Sequence, residues 1–284
     1  MRFDYLEPTT LEEAVSLLGK YNGKAKLIAG GTDLLVQIRA KSIAPEFVID
    51  IGYIPGLDYI KYDAARGLSI GALTTIRAIE LSDEIRQRYP ILSDAAATLG
   101  SAAIRNVATI GGNLCNAAPS ADNAPPLIGL SAKARIIGPG GERTVPLEDF
   151  FVGPGSTALK TGELLVEIQV PVPPPGTKGA YLKHSRSPVD LAIIGVAVIM
   201  TLGSGEICQE VKIVLGAVAP TPMRAKKAEE ILIGKKVEPT LIEKAAGVAA
   251  EEARPITDVR ASAGYRREMV KVLTGRAIRQ LMTK

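Results

Sequence analysis

Two double-glycine segments are the residues of this 284-residue chain whose type and spacing best suit ligand binding. Gly30-Gly31 lies in residues 28–33 and Gly111-Gly112 lies in residues 109–113, each after an apolar stretch. A diphosphate is anionic and rich in acceptor oxygens, so it binds where backbone N–H groups converge without a Cβ in the way. One such segment alone is typical of an ordinary turn. The pair together predicts two backbone cradles for one pyrophosphate.

The stretch after the second double glycine, residues 113–127, is rich in small and polar side chains within an apolar neighbourhood. It contains Asn113, Asn116, Ser120, Asp122 and Asn123. Amide, hydroxyl and carboxylate groups exchange hydrogen bonds with ligand hydroxyls. This composition therefore favours the lining of a hydroxyl-rich ligand.

With these residues in view, the chain closely resembles the FAD-binding medium subunit of the molybdenum hydroxylases, the group of xanthine dehydrogenase and aerobic carbon monoxide dehydrogenase. The resemblance runs nearly from end to end, through several spaced motifs in the family's order. The matching segments are residues 3–5, 8–14, 29–33, 104–106, 109–113, 162–165, 181–183 and 190–192.

The resemblance implies an α+β fold. A two-lobed FAD-binding domain of the vanillyl-alcohol-oxidase/PCMH type precedes a C-terminal antiparallel sheet with helices. We expect one FAD-binding lobe over residues 1–55, a second over 56–175 and the C-terminal α+β domain over 176–284, with FAD in the cleft between the first two lobes. A chain of this length with 46% hydrophobic residues can bury a core for two or three compact units.

The family's cofactor-binding positions carry over onto this chain one by one. They are Leu27, Ile28, Ala29, Gly30, Gly31, Thr32, Asp33, Leu34, Thr109, Ile110, Gly111, Gly112, Asn113, Asp122, Leu165 and Lys183. Thr32, Thr109 and Asn113 are expected to bond phosphate or ribityl oxygens, and Asp122 to accept from sugar hydroxyls. Without the resemblance, Leu165 reads as a strand core residue and Lys183 as a solvated cation.

The resemblance also implies an electron-transfer subunit of a larger oxidoreductase. The chain has two cysteines, Cys115 and Cys208, in no Cys-x-x-Cys pattern, and a single histidine, His184, so we expect no iron–sulfur cluster and no metal site in it. A [2Fe–2S] small subunit and a molybdopterin large subunit are expected as partners in a doubled, heterohexameric complex, and NAD, quinone or another acceptor as the electron sink. Orienting and tuning the flavin needs no catalytic side chain, so His184 is assigned no acid–base role.

Two other classes of protein stay open. One is a stand-alone FAD-dependent oxidase or dehydrogenase. The other is a basic, non-catalytic binding protein, because the net charge is +4 and basic residues recur through a predicted C-terminal helix. They are Arg260, Arg266, Arg267, Lys271, Arg276, Arg279 and Lys284. We interpret them as a solvated helix face and expect no nucleic-acid partner, because no aromatic residues are interleaved with them.

The remaining patterns predict secondary structure and location. The apolar run 191–202 is too short for a membrane helix, and no signal-type apolar segment begins the chain, which predicts a soluble cytoplasmic protein. Residues 153–158 fit a Rossmann glycine pattern but predict a loop, so a nicotinamide fold is rejected.

Helices are predicted from Thr10 through Leu18 and over 74–81, 91–99, 223–233, 241–252 and 265–282. Strands are predicted over 24–29, 47–50, 57–60, 68–70, 133–137, 163–170, 179–186, 192–202 and 207–218.

Overall fold

A computed structural model describes residues 2–283 and begins with a small parallel sheet. Its elements are β1 (Asp4–Leu6), α1 (Leu11–Lys20), β2 (Ala25–Ile28), α2 (Leu34–Arg39) and β3 (Phe47–Asp50). As predicted, Thr10 caps α1, because its hydroxyl accepts from the backbone N–H of Glu13 at 3.2 Å. The strand order is β1-β3-β2, and both pairings are parallel. The loops that leave β2 and β3 therefore emerge at the same edge of this sheet.

A five-stranded antiparallel sheet forms the next layer. The strands of this part are β4 (Ile60–Asp63), β5 (Gly67–Gly71), β6 (Lys133–Gly138), β7 (Gly141–Pro146), β8 (Phe151–Gly153), β9 (Ser156–Thr157) and β10 (Leu164–Val170). The sheet order is β4-β5-β10-β6-β7, while β8 and β9 form a separate hairpin. The strand predicted at 57–60 begins only at Ile60. The glycines of residues 153–158 lie in the hairpin, so the rejection of a Rossmann fingerprint is confirmed.

Six short helices follow in this part of the chain. They are α3 (Ile76–Leu81), α4 (Asp83–Arg88), α5 (Pro90–Ala97), α6 (Ala102–Arg105), α7 (Ile110–Cys115) and α8 (Ala124–Gly129). All but α6 contribute residues to the largest apolar core. The second double glycine was predicted as a turn after an apolar stretch, but it lies in the first turn of α7. The reason is local, because Thr109 caps this helix by accepting from the Gly112 N–H at 3.1 Å.

The C-terminal part is an antiparallel sheet covered by three helices. Its elements are β11 (Thr177–His184), β12 (Ile194–Leu202), β13 (Cys208–Gly216), β14 (Met223–Arg224), α9 (Lys226–Leu232), α10 (Pro239–Glu252) and α11 (Ala263–Thr283). The strands follow the order β11-β12-β13-β14. The helix predicted from residue 223 begins three residues later, because Met223 and Arg224 pair with β13 as a strand. The predicted α+β architecture, which ends in an antiparallel sheet with helices, is confirmed.

The prediction that the basic residues of α11 form a solvated face is wrong for Arg266. Its guanidinium is buried and donates to the carbonyl oxygens of Ile193 and Ala217 at 2.8 and 2.9 Å, and it pairs with Asp258 at 2.8 Å. Arg266 therefore joins the helix to the ends of β12 and β13. The exposed basic residues of the helix are Arg267, Lys271, Arg276 and Arg279, whereas Arg260 precedes the helix and Lys284 lies outside the described residues.

The three larger sheets use residues 4–50, 60–170 and 177–224. Domain boundaries near residues 55 and 175 stay a prediction. Across residues 2–283, no helix has both the length and the apolar character needed to span a membrane.

Candidate functional site

The two double-glycine segments meet in the structure. A Cβ added to Gly30 would lie 1.9 Å from the carbonyl oxygen of Val107 and 3.0 Å from the Cα of Ala108. The backbone after β2 is therefore packed directly against the segment that leads into Thr109. Contact this close is open only to glycine. The predicted cradles thus form two walls of one cleft.

The four glycines of these segments have different structural roles. Gly111 resembles Gly30, because a Cβ there would lie 2.7 Å from the carbonyl oxygen of Ala72. Gly31 has a positive φ of 70°, a conformation that favours glycine. Gly112 is exposed, and an added Cβ would approach only the Thr109 hydroxyl, at 2.9 Å. Gly30 and Gly111 therefore allow close packing, while Gly112 is exposed and donates its N–H to the Thr109 hydroxyl.

The cleft opens beside Gly30 as a cavity of about 540 Å³. Loops after β2 and β3 and the segment before α7 supply its walls. The lining residues include Gly30, Tyr53, Pro55, Asp58, Leu73 and Thr109. The cavity is formed where the small parallel sheet meets the second sheet and its helices. This is the region in which the resemblance predicts FAD.

Backbone bonds fix the wall that contains Thr109. The Ala108 carbonyl accepts from the Ile76 N–H at 2.8 Å, and the Ile110 N–H donates to the Thr74 carbonyl at 3.0 Å. These bonds tie the start of α7 to the start of α3. The orientation of the Thr109 hydroxyl and of the Gly112 N–H is therefore set by main-chain geometry.

A partly buried ion pair holds the preceding turn. The Arg105 guanidinium donates to Glu80 on α3 at 2.7 Å and to the carbonyl oxygens of Leu99 and Gly100 at 3.1 and 3.0 Å. Burial raises the pKa of Glu80, but hydrogen bonds from Arg105 and Arg77 outweigh it, so the net pKa is lowered. Sequence reasoning noted Arg105 within a motif but missed Glu80, which lies 25 residues away.

The other wall contains the first glycine segment and α2. Gln37 on α2 donates to the Asn116 side chain at the end of α7, at 3.3 Å, so the two short helices also touch. Asp33 precedes α2, and burial raises the pKa of its carboxyl group. Leu27 and Ile28 lie on β2, where Leu27 packs against the small apolar cluster of this sheet. Thr32 and Leu34 follow in the same loop and first helical turn.

Asp122 and Lys183, 61 residues apart, form a buried ion pair at 2.9 Å. Both side chains are nearly inaccessible, with 6% and 5% exposed. Tyr181 donates to the other carboxylate oxygen of Asp122 at 2.9 Å, and Lys183 also donates to the Thr98 carbonyl at 2.8 Å. Burial raises the pKa of Asp122, opposed by Lys183 and Tyr181. This cluster joins β11 to the segments after α5 and α7.

The remaining predicted residues take ordinary structural positions. Leu165 is buried in the core on β10, opposite Ile136 on β6. Ile110 is buried in the same core, and Asn113 accepts from Asn123 at 3.4 Å. The structure therefore brings the two glycine segments together and pairs Asp122 with Lys183, while Leu165 supports the sheet behind them.

The titratable groups that were assigned no chemistry are held in structural contacts. His184 shares a hydrogen bond of 3.0 Å with Tyr265 on α11. Burial raises the pKa of the Cys115 thiol to about 12, which keeps it protonated at neutral pH. Sequence reasoning missed Tyr53 and Asp58 in the cleft, although their neighbours Gly52, Pro55 and Gly56 signal an irregular loop there.

The fold and the cleft define a class of protein: a two-lobed FAD-binding part of the PCMH type followed by an antiparallel sheet with helices. Comparison with family models agrees with it. Residues 1–173 match the FAD-binding domain in molybdopterin dehydrogenase, and residues 179–281 match the C-terminal domain of the CO dehydrogenase flavoprotein.

Full-length relatives support the same assignment. The chain is 35% identical over 279 residues to the glyceraldehyde dehydrogenase medium chain of Sulfolobus acidocaldarius, covering 98% of each chain. It is 36% identical over 277 residues to the carbon monoxide dehydrogenase medium chain of Hydrogenophaga pseudoflava, covering 98% of this chain and 96% of that one.

Among solved structures, one of carbon monoxide dehydrogenase from Hydrogenophaga pseudoflava, which lacks the Mo-pyranopterin moiety of its cofactor, matches with a TM-score of 0.96. The identity is 36%, and the match covers 100% of this chain and 98% of that one. The chain belongs to the family of FAD-binding medium subunits of the molybdenum hydroxylases. It is an oxidoreductase flavoprotein subunit, and its cofactor is FAD.

Proposed function

We propose that this chain holds FAD with the diphosphate between its two double-glycine segments. Residues 27–34 form one side and residues 109–113 the other. The backbone of Gly31 and Gly112 lies against the phosphates, and the Thr32, Thr109 and Asn113 side chains bond phosphate or ribityl oxygens. Asp122, Lys183 and Leu165 complete the site towards the flavin. When bound, FAD accepts electrons and releases them to another carrier.

The observation that supports this proposal best is the contact between Gly30 and Val107. It brings two glycine segments that are about 80 residues apart in the chain to opposite sides of one cavity. Thr109 also lines this cavity, and Gly112, three residues further along the chain, is exposed. Phosphate oxygens suit such a place, because preorganised N–H donors bond an anion without the crowding of a side chain.

We further propose the position of this chain in electron transfer. A partner subunit with [2Fe–2S] clusters supplies the electrons, which reach those clusters from a molybdopterin-containing large subunit. FAD held by this chain would relay them to an external acceptor such as NAD or quinone. No proton-transferring side chain of this chain is needed for this role. Its residues bind FAD, orient the ring and exclude water, in keeping with the rigid contacts around Ala108 and Asp122.

The first experiment is the absorption spectrum of the purified full chain, before and after denaturation, with chromatography of the released compound. We expect flavin bands and released FAD. Gly112→Val is expected to lower FAD affinity by about 10- to 150-fold, because its side chain would crowd a phosphate at the exposed backbone and displace one charge-assisted hydrogen bond, worth about 1.5–3 kcal/mol. Gly19→Ala is the control, because nothing lies within 4 Å of the added Cβ. Colourless protein that takes up no added FAD contradicts the proposal.

The electron-transfer proposal needs the native assembly. A tagged chain purified from its own cells is expected to bring down two further subunits, one containing iron and sulfide and the other molybdenum. Reduced complex is then mixed with NAD⁺ or with a quinone, and reoxidation of the flavin bands identifies the acceptor. An isolated flavoprotein that turns over substrate by itself contradicts the assembly.

A further inference from the structure

We propose that two exposed segments of the C-terminal part, residues 184–191 and 254–267, dock this chain onto an anionic lipid bilayer. Their joint surface is called the tip patch below. The inference rests on the proposed function, because docking there brings the bound flavin to a quinone dissolved in the membrane. It therefore selects quinone, rather than NAD, as the final electron acceptor.

The two segments of the tip patch are joined by direct contacts. The Arg186 guanidinium donates to the Val259 carbonyl oxygen, and His184 shares a hydrogen bond of 3.0 Å with Tyr265. The buried Arg266 of the second segment also donates, at 2.8 Å, to a carbonyl oxygen just beyond the first segment. The side chains of both segments therefore belong to one surface.

Large apolar side chains are exposed on both segments. Val259 and Ile256 are 89% and 69% exposed, the two highest values among the large apolar residues in the part of the chain that the structure describes. Val189, Leu191 and Tyr265 are also exposed. Water contact of apolar groups is unfavourable, and an exposed apolar patch marks a surface for a protein or a membrane.

The charge of the tip patch complements an anionic bilayer. Residues 184–191 and 254–267 contain five arginines, two aspartates and no glutamate. One of the aspartates, Asp258, pairs with Arg266 and Arg260 at 2.8 and 3.3 Å. Arg254 and Arg267 are exposed. Arginines near a membrane are attracted to anionic lipids, while their apolar stems lie along neighbouring apolar side chains.

The type of the apolar residues favours lipid over a protein partner. Protein interfaces are enriched in aromatic side chains and methionine. Four of the five exposed apolar residues of the tip patch are aliphatic, and all five lie among arginines. Aliphatic side chains interspersed with cations fit the boundary between acyl chains and anionic headgroups.

The position of the tip patch gives the docking a function. Its first segment begins directly after Lys183, near the end of β11, and the proposed function places Lys183 and Asp122 at the flavin end of the site. A quinone with a long apolar tail stays in the bilayer, so the electron donor must reach the membrane surface. Transfer of two electrons and two protons from reduced FAD to the quinone regenerates FAD and yields quinol.

Flotation of the full-length chain in its native complex with lipid vesicles tests the docking. We expect binding to vesicles of phosphatidylcholine with phosphatidylglycerol, and weaker binding at high salt or to phosphatidylcholine alone. The double variant Ile256→Ser/Val259→Ser is expected to lower vesicle affinity by on the order of 10- to 100-fold, because it removes aliphatic surface from the lipid. Arg267→Gln is expected to lower it about 5-fold, the effect of one positive charge at an anionic surface.

Matched controls keep the number of substitutions and their chemistry similar. Val152→Ser changes an exposed valine in the hairpin strand β8, and Arg276→Gln changes an exposed arginine of α11 outside the tip patch. Both are expected to bind vesicles like the wild type. Melting temperatures check that each variant is folded.

A second measurement links docking to electron transfer. Reduced complex is mixed with anionic vesicles that contain a long-chain quinone, and reoxidation of the flavin bands is followed. We expect the double variant Ile256→Ser/Val259→Ser to be reoxidised more slowly by this quinone, but at the wild-type rate by a soluble dye.

Each other outcome overturns the inference. Wild-type complex that stays off anionic vesicles refutes the docking, and binding that the double variant retains refutes the tip patch. Loss of the iron–sulfur subunit from the double variant marks the patch as a subunit interface and refutes lipid as its occupant. Reoxidation by NAD⁺ but not by the quinone refutes the choice of acceptor. Failure to bind vesicles leaves the proposed function standing, whereas a chain that binds no FAD ends both proposals.

Discussion

Replacing Gly30 with alanine is the sharpest test of the contact between the two glycine segments. The new Cβ would lie 1.9 Å from the Val107 oxygen and 2.7 Å from its carbonyl carbon. Since favourable contacts between such atoms lie near 3.5 Å, the two backbones must part by more than about 1 Å. Hydrogen bonds from Ile76 to the Ala108 oxygen and from the Ala108 N–H to Ile104 oppose that movement. We expect a destabilisation of about 1–3 kcal/mol, the range for overpacked cores.

Thermal melting and FAD titration measure the two consequences. A destabilisation of this size lowers the melting temperature by roughly 2–12 °C, at about 2–4 °C per kcal/mol for chains of this size class. FAD affinity is expected to fall as well, because the same movement separates the walls of the cleft. Gly19→Ala provides the control, since its Cβ meets no atom within 4 Å and alanine favours the helix α1. A Gly30→Ala protein that melts and binds FAD like the wild type refutes this packing.

Four further predictions concern Asp122 and Lys183, Arg105 and Cys115. Lys183→Met leaves the Asp122 carboxylate buried without its cation, so we expect a loss of about 3–5 kcal/mol in chemical denaturation at pH 7. Burial raises the pKa of the Asp122 carboxyl above the ordinary 3.8, so the folded state keeps the carboxyl proton to a higher pH than the unfolded state does. The free energy of unfolding is therefore expected to fall as the pH rises through the raised pKa, and to fall more steeply in Lys183→Met. Arg105→Met removes the ion pair with Glu80, which is expected to cost about 1–3 kcal/mol and to weaken FAD binding in titrations. Cys115 is expected to resist iodoacetamide at pH 8 until guanidinium is added, because the pKa of its thiol is raised to about 12. Mass spectrometry follows the labelling, and rapid labelling of the native protein contradicts the prediction.

Local signals were sufficient for several elements. The Thr10 cap with Glu13 predicted the start of α1, and the apolar run over residues 47–50 matched β3 residue for residue. Such features depend on side chains three or four positions apart, which a sequence shows directly. The family motifs added the order of the structural units and the identity of the cofactor. Residue patterns alone were compatible with three classes of protein.

Long-range contacts account for what the sequence did not reveal. No residue near Gly30 in the sequence indicated that the Val107 carbonyl oxygen would lie where a Cβ atom of residue 30 would be. Arg266 looked like one of a row of solvated cations, but it donates to carbonyl groups of the residues that flank β12 and β13. Each of these outcomes depends on residues far apart in sequence, so local propensity could not predict them.

The cluster around Asp122 is better explained by positioning than by stability. Removing a carboxylate and an ammonium from water costs several kcal/mol per ion, and a buried pair rarely exceeds an apolar replacement in stability. The chain nevertheless surrounds this pair closely: Tyr181 donates to the carboxylate, and Gly195 must lack a side chain because a Cβ there would lie 2.7 Å from the Tyr181 oxygen. Such contacts fix the C-terminal sheet against the segments after α5 and α7. The contact between Gly30 and Val107 fixes the walls of the cleft in the same way, so in the binding mode we propose FAD is held by two rigid contacts rather than by one flexible loop.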